Sequence, residues 1–168
     1  MPHDKVVGFI DGTGIRVARP GGGLQRCMYS GHKRDHVMKF QSVVTPDGLL
    51  FHLYGPVEDR RHEMTMYNES GMDNILSKNL VIDGVQYSIY GDKAFTLRLW
   101  MQVAYTGELR VEKEDYNAAM SALRIVVEWG YKELKQVFAF LDYKRKLKLR
   151  EGPCGLVYQA GVLLWKVQ

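Results

Sequence analysis

Short apolar runs separated by turn-forming residues fill the first half of the chain, and one long amphipathic pattern dominates the second half. The run at residues 6–10 predicts a buried strand that ends on Asp11, after which a glycine lets the chain turn away. The β-rich runs at residues 37–44 and 49–54 flank Thr45-Pro46-Asp47-Gly48, which is a strong turn sequence. These two runs therefore predict a β-hairpin.

A second buried strand also ends on an acid, because the β-rich run at residues 85–90 is followed by a glycine and Asp92. Between the hairpin and this strand, residues 64–78 predict a helix that is interrupted at Ser70-Gly71. The predicted inner face of this helix comprises Met66, Tyr67, Ile75 and Leu76. The mixed pattern at residues 96–109 predicts an irregular covering segment.

The longest periodic pattern spans residues 114–141 and predicts a helix with a single apolar stripe. Glu128 lies one residue off this stripe, with Arg124 and Lys132 on the same face at the i−4 and i+4 positions. A solvated row of opposite charges explains such an arrangement on an ordinary helix. The stripe consists of Met120, Leu123, Val127, Tyr131, Leu134, Phe138 and Leu141.

The order strand, hairpin, helix, strand, irregular segment and long helix predicts an α/β fold in one domain. A mixed sheet flanked by helices, with acids at strand ends and one acid on a helix, fits the ribonuclease-H-like arrangement. The chain has 168 residues, enough for one domain with a sizeable core. In such a sheet, ligands gather outside the carboxyl ends of the strands.

Composition narrows the classes of partner. The net charge is +4 and the isoelectric point is near 9.0, which permits a polyanionic partner. Cys27 and Cys154 are too few and too far apart for a disulfide framework or a zinc site, and this suits a reducing compartment. No apolar stretch approaches the roughly 20 residues of a membrane span.

Two basic segments are candidates for phosphate contacts. The first follows the opening strand and is rich in glycine, and the second is a short basic run near the end of the chain. Charge alone favours solvated surfaces for both segments, and contact with a nucleic-acid backbone is the functional alternative. The candidate nucleic-acid-binding residues are Arg16, Arg19, Lys33, Arg34, Lys144, Arg145 and Lys146.

Three acids are expected to converge, because Asp11 and Asp92 end neighbouring strands and Glu128 projects from a helix packed beside them. Uncompensated carboxylates at close range repel one another, so a cluster of them predicts a metal ion. Mg²⁺ uses carboxylates together with phosphate oxygens and water. Two such ions about 4 Å apart can hold the attacking and leaving oxygens of a phosphodiester.

Thirty-five residues separate Asp92 from Glu128. The sequence motifs around the three acids are more specific than this spacing. Taken together, the motifs resemble the nuclease domain of the PIF/Harbinger transposases and their domesticated relatives over about residues 6–164. The motifs are, in order, Ile10-Asp11-Gly12-Thr13, Gly31-His32-Lys33-Arg34, the eleven residues from Lys39 to Leu49, Gly55-Pro56-Val57-Glu58, Gly91-Asp92 and Val127-Glu128-Trp129.

The resemblance implies a nuclear DDE endonuclease that cuts transposon-end DNA and uses one or two Mg²⁺ or Mn²⁺ ions. It also implies a Myb-like DNA-binding partner protein. It implies that Asp11, Asp92 and Glu128 are the catalytic acids and metal ligands. It also implies that residues 1–168 form the endonuclease domain, and we expect the N-terminal DNA-binding region of full-length relatives to be absent. No membrane association is implied.

One position departs from the family pattern. The family has aspartate directly after the histidine of its Gly-Arg-Arg-His-Asp segment, whereas Glu63 follows His62 here. The added methylene moves the carboxylate by roughly 1.5 Å, and Mg²⁺ requires near-ideal octahedral geometry. Either Glu63 is a compromised metal ligand, or the chain is a degenerate or domesticated copy that binds DNA or protein without cutting. A fragment with no selected function is the third alternative.

Overall fold

A mixed six-stranded sheet lies at the centre of the computed structural model, which describes residues 5–143 and 147–165. The strands are β1 (Val6–Arg16), β2 (Tyr29–Ser30), β3 (Asp35–Val44), β4 (Leu50–Glu58), β5 (Val81–Ile82), β6 (Val85–Gln86), β7 (Ser88–Gly91) and β8 (Met101–Val103). The helices are α1 (Gly23–Met28), α2 (Glu63–Glu69), α3 (Met72–Asn79), α4 (Val111–Val137) and α5 (Cys154–Trp165). A 3-10 turn, Ala139–Asp142, follows α4.

The sheet order is β2-β3-β1-β7-β8, and β4 also pairs with β3, along residues 38–44. β1 is antiparallel to β3 and parallel to β7, and β8 continues the parallel half of the sheet. β5 and β6 form a separate two-stranded ribbon. This mixed sheet flanked by helices confirms the predicted α/β, ribonuclease-H-like fold class.

Alternation along β1 and β7 divides the core between the two faces of the sheet. Ile10 and Ile89 pack with the residues of α2 and α3 on one face, which we call the α2 face. Phe9 and Tyr90, the neighbours of these residues in sequence, pack with Met120 of α4 on the opposite face, which we call the α4 face. A third cluster joins the far end of β1 to α5 through residues such as Ile15, Phe40 and Tyr158.

The predicted hairpin is confirmed, as is the break between the two helices that follow it. Three details of the sequence prediction in this part of the chain were wrong. β4 continues through Gly55-Pro56 to Glu58, and Ile75 is exposed whereas Leu76 is buried. Residues 96–109 contain strand β8, because Met101 is buried against β7 and pairs with Ile89.

The long helix begins at Val111 and ends at Val137, so its last predicted turn is a 3-10 turn. Met120, Tyr131, Leu134 and Leu141 of the predicted stripe are buried, whereas Leu123 is 40% exposed and therefore lies off the core. The side chain of Val127 lies outside the described part of the chain. Among the helices that are described, none is long and apolar enough to cross a membrane.

Candidate active site

Asp11 and Asp92 lie side by side on neighbouring parallel strands. Phe9 is paired with Tyr90, so two residues further along each strand the register brings Asp11 level with Asp92, just beyond the end of β7. Asp11 itself lies within β1, which continues as a partner of β3. The prediction that both acids would occupy neighbouring positions holds, although only Asp92 lies at a strand end.

Glu128 of α4 shares a cavity with each of these two aspartates. It lines a cavity of about 650 Å³ together with Asp11, and it also lines an adjoining cavity of about 520 Å³ together with Asp92. Its side chain is 54% exposed and its Oε1 lies 3.4 Å from Nη2 of Arg124. The three carboxylates, from a central strand, a neighbouring strand and a packed helix, therefore line two cavities that have Glu128 in common.

Burial raises the pKa of Asp11 to about 6, against an ordinary value of 3.8. The guanidinium of Arg124 and the backbone N–H of Gly12 oppose this rise, and the negative charges of Asp92 and Glu63 add to it. The unprotonated carboxylate of Asp11 is therefore costly in the folded chain unless another positive charge comes close.

Glu63 approaches β1 from the α2 face, the side opposite the other three acids. A Cβ atom built on Gly12 would lie 2.4 Å from Oε1 of Glu63, and Gly12 alternates with Asp11 along the strand. The Glu63 carboxylate forms an ion pair with Lys39 at 2.8 Å and accepts a hydrogen bond from Nε2 of Gln41 at 3.2 Å. Its charge is thus already balanced by a neighbouring strand.

Replacing Gly12 with alanine is expected to destabilise the protein, because the added methyl group occupies the space of the Glu63 carboxylate. Overpacking of this kind costs roughly 1–3 kcal/mol, which corresponds to a thermal midpoint lower by about 2–4 °C per kcal/mol for a chain of this size. Thermal denaturation measures the change. Gly21→Ala is the matched control, since nothing lies within 4 Å of a Cβ at that position. Equal midpoints for the two variants would contradict the close contact.

Sequence reasoning missed three residues near the acids. Lys39 and Gln41 were read as strand residues, and Tyr131 was read as part of the apolar stripe. The available signals were the i, i+2 spacing of Lys39 and Gln41, which places both on one face of β3, and the i, i+3 spacing from Glu128 to Tyr131. Tyr131 lines the cavity of Asp11 with 9% exposure, and its hydroxyl has no hydrogen-bond partner within the described residues.

The predicted nucleic-acid-binding residues do not form one surface in the described part of the chain. Arg16 and Lys33 line the cavity of Asp11, and Lys135 of α4 joins them there with a pKa lowered by burial. Arg19 lines a different cavity, beside α1. Arg34 is exposed and lines none of the cavities described here. Lys144, Arg145 and Lys146 lie outside the described residues.

The donor set of the α4 face suits a hard divalent cation. Asp11 and Asp92 supply carboxylate oxygens from adjacent strands, and Mg²⁺ commonly takes one or two carboxylates and completes its shell with water and phosphate. Burial raises the pKa of Asp11, so a cation beside its carboxylate would stabilise the ionised form. Within the described residues, no group of three or more acidic, histidine or cysteine side chains is already arranged as a metal site. Asp11 and Asp92, on adjacent strands, are the two carboxylates of the α4 face that match this preference.

The sequence model of the family described as DDE superfamily endonuclease matches residues 10–164, nearly the whole chain. The chain belongs to this family. A DDE superfamily endonuclease is a transposase-derived nuclease whose substrate is DNA, and the family generally uses divalent metal ions. No curated protein and no solved structure matches the chain.

Proposed function

We propose that this DDE superfamily endonuclease is a divalent-metal-dependent enzyme that hydrolyses DNA phosphodiester bonds. The observation that carries the proposal is the placement of Asp11 and Asp92 on adjacent parallel strands, with Glu128 of α4 lining the cavity of each. The raised pKa of Asp11 supports it, because a buried acid that lacks compensation gains most from a bound cation.

In this proposal, Asp11 and Asp92 hold the cation and Glu128 completes the acidic set from α4. Held by these residues, one or two Mg²⁺ or Mn²⁺ ions would supply Lewis-acid activation of the attacking water and of the phosphate. Arg124 orients Glu128 through their ion pair and partly offsets the charge of Asp11. Arg16 and Lys33 attract the DNA backbone to the cavity of Asp11.

Glu63 has a supporting role in this proposal. Lys39 neutralises its carboxylate, and Gly12 lies between it and the α4 face. It therefore contributes negative charge near Asp11 and fixes the start of α2. The resemblance to PIF/Harbinger transposases supports a transposon-end-like DNA target, a Myb-like partner protein and action in the nucleus.

Glu128→Gln is expected to abolish metal-dependent nicking. Supercoiled plasmid is incubated with the wild type and the variant in Mg²⁺ or Mn²⁺, and the nicked form is quantified against time. The control is Glu133→Gln, an exposed change on the same helix that should cut like the wild type. Equal nicking by Glu128→Gln and the wild type would remove Glu128 from the site.

A second candidate function is a DNA- or protein-binding copy that does not cut. Two observations favour it: the ion pair that engages Glu63, and the absence of a preformed three-ligand group among the residues described. Glu63→Asp separates the two functions. It shortens the side chain by roughly 1.5 Å, so under the leading proposal it weakens the Lys39 pair and does not increase nicking. Cutting gained by Glu63→Asp in an inactive wild type would identify a decayed enzyme.

A further inference from the structure

A third cavity, remote from the acids, is lined by positively charged side chains. It has a volume of about 580 Å³ and is bordered by Arg19, Arg26 and Arg60, with Tyr29 and His36 beside them. No carboxylate lines it in the described part of the chain. We call it the arginine cavity.

The guanidinium groups of the arginine cavity are available to a ligand. Arg26 and Arg60 are exposed, and neither forms an ion pair with any carboxylate that the structure describes. Arg19 lies beside the side-chain amide of Gln25, and with that amide in the orientation that satisfies both groups its oxygen accepts hydrogen bonds from Nε and Nη2 of Arg19 at 3.2 and 2.6 Å. Unpaired arginines at one concave site repel one another and favour an anion.

A fourth arginine lies at the rim of the arginine cavity. Gly22 lines the cavity, and a Cβ atom built on it would lie 3.9 Å from Nη1 of Arg150. Arg150 comes from the segment after the 3-10 turn, so cations from four separate stretches of the chain meet here. Planar guanidinium groups bind phosphate through paired N–H donors, which matches a phosphodiester better than a single point charge does.

The register of the sheet gives the separation between the arginine cavity and the acids. His36 lines the arginine cavity and precedes Ser42, the partner of Asp11, by six residues on β3. At about 3.3 Å per residue, this spans roughly 20 Å along the strand. Duplex DNA rises about 3.4 Å per base pair, so a duplex lying along β3 would cover this interval with about six base pairs.

We infer that the arginine cavity binds backbone phosphates of the DNA duplex about six base pairs from the bond held at the acids. The inference rests on the proposed action on DNA and adds a second contact region to it. It divides the basic residues near the start of the chain between two tasks: Arg16 and Lys33 act at the acids, and Arg19 acts with Arg26 and Arg60 at a distance. Because the contacts are to phosphates, the site contributes affinity and register without base specificity.

Binding of a 30-base-pair duplex in EDTA tests this inference apart from cleavage. Fluorescence anisotropy gives the dissociation constant between 50 and 200 mM salt for the wild type, Arg26→Gln/Arg60→Gln and Arg26→Lys/Arg60→Lys. Each lost phosphate contact lowers the slope of log affinity against log salt by about 0.9, so the glutamine variant should lose about 1.8 and bind roughly tenfold or more weakly. The lysine variant keeps both charges and should retain most of the wild-type slope.

Arg110→Gln is the matched control, because it removes an exposed positive charge that lines neither the arginine cavity nor the cavities of the acids. Unchanged thermal midpoints verify that the variants fold. Equal affinity and slope for the wild type and the glutamine variant would overturn the inference, as would an absence of duplex binding by the wild type. If the wild type nicks DNA but the glutamine variant binds the duplex as the wild type does, only the proposed role of the arginine cavity is refuted. If the glutamine variant binds more weakly but the wild type does not nick DNA, only the proposed endonuclease activity is refuted.

Discussion

Asp11→Asn is expected to abolish metal-dependent nicking and, at pH 7.5 without divalent metal, to raise the thermal midpoint. The nicking is lost because asparagine cannot supply a charged oxygen ligand. The midpoint rises because the buried carboxylate of Asp11, with a pKa raised from 3.8 to about 6, costs the folded state on the order of 2–3 kcal/mol when it is ionised. For a chain of this size, that gain corresponds to roughly 5–10 °C.

The stability of the wild type should depend on pH through the ionisation of Asp11. Since the folded state binds the Asp11 proton more tightly than the unfolded state does, the wild type loses stability as the pH rises from about 4 to about 6. The stability gained by Asp11→Asn should therefore be absent below about pH 4 and complete above about pH 6. Thermal or urea denaturation across this range measures it.

Divalent metal should reverse the order of the two proteins. A cation that binds only the folded wild type stabilises it by mass action, so Mn²⁺ or Mg²⁺ should raise the wild-type midpoint and leave Asp11→Asn unchanged. Asp83→Asn is the control, because Asp83 lies exposed in a turn with a φ of 49°, which asparagine adopts equally well. A destabilised Asp11→Asn at pH 7.5 would contradict the electrostatic description of this site.

Lys39→Met is expected to lower the thermal midpoint by about 5–10 °C. The Lys39–Glu63 ion pair is 2.8 Å long, and its side chains are only 16% and 17% exposed. Lys39 also donates a hydrogen bond to the carbonyl oxygen of Arg61 at 2.9 Å. Its loss leaves the Glu63 carboxylate without its charged partner, which costs about 2–4 kcal/mol for a pair with this burial.

A double-mutant cycle isolates the charge effect. Lys39→Met/Glu63→Gln contains neither charge and should recover much of the lost stability. Lys78→Met, an exposed change in the last turn of α3, is the control for loss of a lysine. Divalent metal should raise the midpoints of Lys39→Met and the wild type equally, since Glu63 lies on the α2 face. A larger rise in Lys39→Met would identify Glu63 as a metal ligand.

Much of the fold could be predicted because its signals are local. The hairpin follows from two β-rich runs around a proline- and glycine-containing turn, and α4 follows from its apolar stripe. β8 was not predicted, because three residues carry too little periodicity and become a strand only through pairing with β7. Leu123 shows the same limit, since the direction in which a helix packs is not contained in its own period.

The prediction of which residues bear the chemistry of the candidate site came from local sequence patterns and the family resemblance. Asp11, Asp92 and Glu128 could be selected from nineteen acids because each follows a buried run or accompanies an amphipathic stripe, and because their motifs resemble a family. The side of the sheet on which each acid lies depends on how the helices pack against the strands. Adjacent residues of a strand point to opposite faces, so Asp11 meets α4 while the bare backbone of Gly12 admits Glu63 from α2. The burial that raises the pKa of Asp11 and the Lys39 partner of Glu63 depend on long-range packing, which local sequence does not contain.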